Sequence, residues 1–244
     1  MLMSMVPAAY AAGTEGTDVT EANGGASEQA TATTDAAKVG ETAGYTTLAE
    51  AIAAAKDGDT VKLLADVSED VTISKNITLD LGGKTLTNTN AGKATISVTG
   101  GTVTVKNGTV IGGTSYYNIE VTKNSNANLT LEGVTATAGN TGSSMIDNWG
   151  TMTITSGTYS GGLDVVKSEE GSTLNISGGK FTLSYATNGY TGVIFAYGTT
   201  TITGGEFIQS LTTTGRWNHP QVVATGVVEG YPAITKITGG TFTN

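Results

Sequence analysis

The sequence contains no cysteine, only 3 prolines and few aromatic residues, which make up 6% of the chain. Without cysteine the protein has neither disulfides nor thiolate metal sites. Because large side chains are scarce, a core for 244 residues must be built from small and β-branched residues packed repetitively. Glycine is abundant, at 35 residues, but follows no three-residue period, which excludes a collagen helix.

Basic residues are also scarce. The chain has 12 Lys and Arg against 21 Asp and Glu, a formal net charge of −9. It therefore lacks the basic surface that nucleic acids and anionic membranes attract, and we expect neither as a partner. No segment is long and apolar enough for membrane insertion.

Two segments are predicted to precede the folded domain, which we place at residues 43–244. Residues 1–11 are apolar and end in Ala9-Tyr10-Ala11, the pattern of a signal-peptidase site. We interpret them as the remnant of a signal peptide and expect a secreted or cell-surface protein. Residues 12–42 are rich in Gly, Ala, Thr, Ser and acidic residues without periodicity, which predicts a disordered acidic linker.

A short helix is predicted over residues 46–56. Thr47 and Glu50 have the spacing of a capping box, and apolar residues follow at helical spacing.

Beyond the helix one phrase occurs seven times: two positions flanking a polar residue, then a Gly-containing turn and an apolar residue five positions further on. The copies are Leu79/Leu81/Leu86, Val103/Val105/Val110, Leu129/Leu131/Ala136, Met152/Ile154/Tyr159, Leu174/Ile176/Phe181, Thr200/Ile202/Phe207 and Thr235/Ile237/Phe242. They lie 22 to 35 residues apart, with another short apolar run between them. About three short strands per period, without intervening helices, favour a parallel β-helix. The main alternative, an antiparallel Greek-key sandwich, does not explain the constant internal spacing.

The two ends of such a solenoid need protection, because a free strand edge promotes aggregation. The predicted helix would cover the first coil. The sequence ends inside a repeat phrase, at Thr241–Asn244, so we expect further coils or an anchor in the full-length chain.

The blocks at residues 45–64 and 76–86, Tyr45-Thr-Thr-Leu-Ala-Glu-Ala-Ile and Asn76-Ile-Thr-Leu-Asp-Leu-Gly-Gly, resemble the N-terminal region of pectin-lyase-like β-helix proteins. Such openings are familiar in secreted, adhesin-like surface proteins of Gram-positive gut-type bacteria. The resemblance implies an all-β, right-handed parallel β-helix with a short N-terminal capping α-helix. It leaves the activity open, because lyases, hydrolases, adhesins and stalks share this fold.

The repeated strand faces carry almost no acid–base groups. Between the paired positions of the phrase stand Asp80, Thr104, Thr130, Thr153, Asn175, Thr201 and Lys236. A glycosidase needs two titrating groups at a fixed separation, so we assign no catalytic residue. A polysaccharide lyase or glycoside hydrolase of this fold remains the alternative to a binding protein. The Thr-x-Thr ranks, such as Thr102/Thr104, leave an ice-binding array as a minor alternative.

Acidic residues cluster around one turn. Asp147 and Glu169 occupy equivalent positions one coil apart when counted back from Ile154 and Ile176, and Asp164 and Glu170 are nearby. Calcium prefers several such oxygens, although an ordinary solvated turn explains the same residues. No other cofactor is indicated.

Candidate ligand-binding residues lie in two places. The longest insertion carries the only arginine and histidine together, as Arg216, Trp217, Asn218 and His219. Trp149 and Tyr197 share one turn position two coils apart, with Gly171 expected between them. Such loops on a rigid scaffold suit recognition of a polysaccharide or a host surface protein. The sequence thus predicts a non-catalytic surface module for adhesion, or a stalk.

Overall fold

The computed structural model describes residues 34–41, 44–139, 142–183, 189–210 and 218–244. The predicted signal-peptide remnant at 1–11 and most of the predicted linker lie outside these residues. The described chain is nearly all β-strand, stacked in parallel into a solenoid, with one short helix near its N-terminal end. The predicted all-β parallel β-helix with its N-terminal helix is therefore confirmed. No helix in the described ranges has the length and apolar character needed to cross a membrane.

Each coil contributes strands to three rows, two of which belong to a 16-stranded sheet A and the third to a 7-stranded sheet B. The first row of sheet A contains β1 (Ala37–Val39), β2 (Gly44–Tyr45), β3 (Thr60–Leu63), β6 (Thr78–Asp80), β9 (Thr102–Ile111), β11 (Asn128–Thr137), β13 (Thr151–Ile154), β16 (Thr173–Ile176), β19 (Thr199–Ile202) and β22 (Ile234–Ile237). The second row contains β4 (Val67–Ser68), β7 (Thr85–Thr87), the latter parts of β9 and β11, β14 (Gly157–Ser160), β17 (Lys180–Leu183), β20 (Glu206–Gln209) and β23 (Thr241–Thr243). Sheet B contains β5 (Val71–Ile73), β8 (Ile96–Val98), β10 (Ile119–Val121), β12 (Ile146–Asn148), β15 (Val166–Ser168), β18 (Gly189–Ala196) and β21 (Asn218–Thr225).

The core consists of columns of equivalent side chains that run through successive coils. Tyr159, Phe181, Phe207 and Phe242 form one such column, and neighbouring ring centroids are 4.9 Å apart. This spacing matches the ~4.8 Å separation of adjacent strands, so the ring stack follows directly from strand register. The first three rings are fully buried, as predicted for an inward repeat position.

The predicted register of the repeat is confirmed from Val103 onward but is wrong for the first copy. Leu79 pairs with Val105, two residues away from its predicted partner Val103, and Asp80 consequently pairs with Lys106. The cause is turn length. Leu86 still pairs with Val110, as predicted. The turn between Leu79 and Leu86 is therefore longer than the turn between Val105 and Val110, and the extra residues shift Leu79 by two positions.

The helix α1 (Leu48–Ala54) begins at the predicted capping box. The Thr47 hydroxyl accepts a hydrogen bond from the Glu50 N–H at 3.1 Å, and the Glu50 carboxylate accepts from the Thr47 N–H at 3.2 Å. The Glu69 carboxylate accepts two further helix N–H groups, those of Leu48 and Ala49. The side chain from the first coil thereby fixes the helix N-terminus on the end of the solenoid.

The ordered domain begins earlier than the predicted boundary at residue 43. Strand β1 pairs antiparallel with β3 on one side and with β2 on the other, and Ala37 is fully buried. Residues 37–39 are therefore a capping strand and not part of a disordered linker as predicted. A three-residue strand offers a single apolar alternation, which is too short to detect in a polar segment.

Candidate functional site

The acidic residues predicted from the sequence lie on the outer face of sheet B. Side chains alternate along each strand, so the middle residue of β10, β12 and β15 points outward. These residues are Glu120, Asp147 and Lys167, and they pair in register on successive coils. The outer face therefore carries two carboxylates followed by an ammonium group.

A second outward column lies two residues further along, in the turns that follow the same strands. Trp149, Glu169 and Tyr197 each donate their backbone N–H to a carbonyl of the preceding coil, which extends the sheet B ladder by one residue. The predicted alignment of Trp149 with Tyr197 is confirmed, but Glu169 lies between them instead of Gly171.

The prediction that Asp147 and Glu169 occupy equivalent positions is wrong. Asp147 pairs with Lys167, and Glu169 lies two residues further along the ladder, level with Trp149. Counting back from the next strand fails because the turn at 169–172 is two residues longer than the turn at 149–150. Lys167 nevertheless brings the two carboxyl groups together, because it pairs with Asp147 in the ladder and its ammonium group is ion-paired with Glu169.

A groove of about 360 Å³ opens where the chain turns from sheet B into the first row of sheet A. We call it the turn groove. Its lining includes Lys123, Asn124, Asn126, Trp149, Glu170 and Tyr231. These residues come from four different connections, and the volume is in the range of small-ligand sites.

Two aromatic rings form the apolar part of the turn groove. Tyr231 is 49% exposed and lies over Gly171, where a β-carbon would come within 3.6 Å of the ring. Across one face of Trp149 lies the ammonium group of Lys123, 3.9 Å from the ring centroid. The groove thus combines ring faces with exposed amide and charged groups.

Lys123 also forms an ion pair with Glu170, at 3.2 Å. The Lys123 side chain is 56% exposed, so this pair contributes on the order of 1 kcal/mol or less to stability. A ligand can therefore displace Lys123 from the Trp149 ring at small cost.

Behind Trp149 lies a buried pair of carboxyl groups. The Trp149 indole Nε1 donates to Asp147 Oδ2 at 2.8 Å, and Lys167 forms an ion pair with Glu169. Asp147 is 1% exposed and Glu169 is 5% exposed. Burial, and next the charge of Glu169, raises the pKa of Asp147 to about 7.

This geometry does not suit glycosidic hydrolysis. The two carboxyl groups of a glycosidase stand roughly 5 to 9.5 Å apart so that the bond, or a water, fits between them. Asp147 and Glu169 are instead screened from solvent, and Glu169 is ion-paired with Lys167. Nearby Tyr117 is no better suited to proton transfer, because burial raises the pKa of its phenol well above the ordinary value.

The four predicted calcium ligands are not gathered around one point. Asp164 accepts hydrogen bonds from Ser144 Oγ at 3.0 Å and from the Gly192 N–H at 2.8 Å, and burial raises its pKa to about 6. Glu169 and Glu170 are paired with separate lysines. Within the described ranges, no group of three or more His, Asp or Glu side chains has metal-binding geometry.

The predicted binding loop is only partly described. Arg216 and Trp217 lie outside the described residues. Asn218 and His219 begin strand β21, where they pair with Gly189 and Tyr190 of β18. These two residues therefore belong to sheet B, and their predicted place in a loop is wrong.

Sequence reasoning missed the residues that complete the turn groove. Tyr231, Lys123 and the two asparagines belong to connections of unequal length that no repeat alignment relates. One signal was present in the sequence, the two asparagines of one short connection, because asparagine tolerates the positive φ that Asn124 and Asn126 adopt, 61° and 51°.

No family model, curated protein or solved structure matches this chain. The fold and the site together define it as a parallel β-helix with an aromatic-walled groove at one edge of its outer surface.

Proposed function

We propose that this chain is a non-catalytic, secreted or cell-surface β-helix module that adheres to glycans through the turn groove. The observation that carries the proposal is the pairing of Trp149 and Tyr231 with the amides of Asn124 and Asn126 in one groove. The C–H face of a sugar ring packs on an aromatic ring, and amides both donate to and accept from sugar hydroxyls. The A-x-A pattern at residues 9–11 and the resemblance to surface β-helix proteins support the extracellular location.

Charge narrows the class of glycan. The chain has a net charge of −9, and the charged groups lining the groove among the described residues are Lys123 and Glu170, which neutralise each other. A polyanionic chain would be repelled by the overall field and would find no unpaired cation here. We therefore propose neutral glycans as the ligand class, with a host surface protein as the second partner class.

The other candidate functions have weaker support. A lyase or hydrolase needs acid–base groups that reach the substrate, whereas Asp147 and Glu169 are buried. An ice-binding array needs an uninterrupted flat rank, but Asn128 and Asn175 interrupt the threonine ranks on the first row of sheet A.

The test is a glycan array followed by titration calorimetry on the full chain and on three variants. Tyr231→Ala removes an exposed ring and leaves the core untouched; we expect about 30-fold weaker binding, the effect typical of a central contact residue. Trp149→Ala should have at least this effect. Trp217→Ala is the matched control, because it removes the other tryptophan and tests the sequence-predicted loop.

Unchanged binding in Tyr231→Ala and Trp149→Ala, with loss in Trp217→Ala, would move the site away from the turn groove. Release of shortened or unsaturated oligosaccharides by the wild-type chain would refute the non-catalytic assignment.

A further inference from the structure

Trp149, which forms a wall of the turn groove, is hydrogen-bonded to a buried carboxyl group that lacks one hydrogen-bond donor. Asp147 Oδ2 accepts the Trp149 indole N–H, but Asp147 Oδ1 is also buried and has no donor among the described residues. A buried carboxylate oxygen without a donor is unfavourable, because it has lost its hydration without gaining a hydrogen bond. A proton on one of the neighbouring acidic groups would supply the missing bond.

The position of Glu169 identifies where that proton would lie. Glu169 is on the next coil and almost fully buried, and it is ion-paired with Lys167, the residue that pairs with Asp147 in the ladder. Two carboxylates this close cannot both be ionised without strong repulsion, and one proton between them converts the repulsion into a short hydrogen bond. The single ammonium of Lys167, which is bonded to Glu169, compensates only one negative charge.

The surroundings favour one proton and not two. The ionisable groups around the pair are Lys167 on β15, Glu120 on β10, Asp164 before β15, Tyr116 and Tyr117 before β10, and Tyr197 beyond β18. Lys167 stabilises one carboxylate. The Lys123 ammonium lies over the Trp149 ring and is already paired with Glu170. The other described groups are acidic or phenolic, so they add no positive charge that would stabilise a second carboxylate.

We propose that Asp147 and Glu169 share one proton at neutral pH and act as positioning residues that hold the Trp149 ring in place as the wall of the turn groove. The idea that this controls a ligand rests on the proposed function, whereas the shared proton itself does not. Loss of the proton leaves two facing carboxylates, and their repulsion displaces Asp147 from the indole. Binding in the groove should therefore weaken as the pH rises.

The first experiment observes Trp149 without any ligand. In a Trp217→Phe background Trp149 is the only tryptophan, so its indole N–H gives a single NMR signal that can be followed from about pH 5 to pH 9. We expect the signal to shift with a midpoint near pH 7. A midpoint below pH 5, or no shift, would overturn the shared proton.

The matched variant is Asp147→Asn in the same background. The asparagine oxygen still accepts from the indole, and its amide donates to Glu169, so the geometry is kept without a titrating proton. We expect a flat indole titration. Glu120→Gln, which removes a carboxylate from the adjacent coil, should keep the wild-type midpoint. A wild-type midpoint in Asp147→Asn would assign the titration to another group and refute the proposal.

The second experiment measures binding of neutral gluco-, galacto- and manno-oligosaccharides at about pH 6 and pH 8.5. We expect roughly 10-fold weaker binding at the higher pH, corresponding to one pKa unit of coupling, and equal binding at both values in Asp147→Asn. An indole that titrates while affinity stays constant would refute the positioning role. An indole that titrates while no oligosaccharide binds would refute the proposed function and leave the shared proton standing.

Discussion

The buried carboxyl pair makes a quantitative prediction about stability. The pKa of Asp147 is raised from 3.8 to about 7 by folding, so the folded state holds a proton that the unfolded state has already released. This contribution is fully present below about pH 4 and is lost as the pH rises through about 7. The total loss is at most about 4 kcal/mol, and the part between pH 5 and pH 8.5 is roughly 3 kcal/mol.

Asp147→Asn should remove this dependence, because an amide does not titrate. The pKa of Asp164 is raised to about 6 by burial, so its contribution to stability also falls as the pH rises above 5. This residue is present in both proteins, and its effect therefore cancels in the comparison. The stability of the variant relative to the wild type should therefore rise by roughly 3 kcal/mol between pH 5 and pH 8.5.

The assay is urea unfolding followed by circular dichroism at both pH values, with Glu120→Gln as the control for removal of a carboxylate from the same face. The reasoning fails if wild type and Asp147→Asn lose stability in parallel between pH 5 and pH 8.5. It also fails if the wild type becomes more stable at the higher pH, because the sign of the linkage would then be reversed.

Two further predictions concern the core and use the same unfolding assay. Phe181 is fully buried between Tyr159 and Phe207, so Phe181→Ala should lower the free energy of unfolding by about 4 kcal/mol. Phe242→Ala removes a ring that is 39% exposed and should cost well under half of that. Equal losses of stability in the two variants would contradict the buried aromatic column. Thr200 is fully buried and its hydroxyl has no partner among the described residues, so Thr200→Val should stabilise the protein by about 1 kcal/mol; a net loss would show that the hydroxyl is satisfied.

The fold could be predicted because the repeat constrains it at several positions at once. The aromatic column from Tyr159 to Phe242 keeps its spacing from the preceding strand in every coil, so a pattern in the sequence maps directly onto strand register. The register of the first coil could not be predicted in this way, because its longer turn places Leu79 opposite Val105. Strand β1 could not be predicted from the repeat, because an antiparallel capping strand is not one of its copies.

The site was only half predictable for a related reason. Trp149 and Tyr197 each begin a two-residue turn before the next strand, so counting back from that strand aligned them, whereas Glu169 begins a four-residue turn and was missed. The partners of Trp149 in the groove come from connections of unequal length, where position along the chain does not determine position in space. Asp147 and Glu169 were singled out as acidic neighbours, but only the structure reveals that both are buried and that Glu169 is ion-paired with Lys167.

The most direct test of the account is an NMR titration of the Trp217→Phe protein with the neutral oligosaccharide that binds best in the array. The account predicts a saturable shift of the Trp149 indole N–H signal, with a dissociation constant equal to that from calorimetry and a loss of the shift in Tyr231→Ala. Binding that leaves the Trp149 signal unmoved, or that disappears with Trp217, would contradict the assignment of the turn groove as the glycan site.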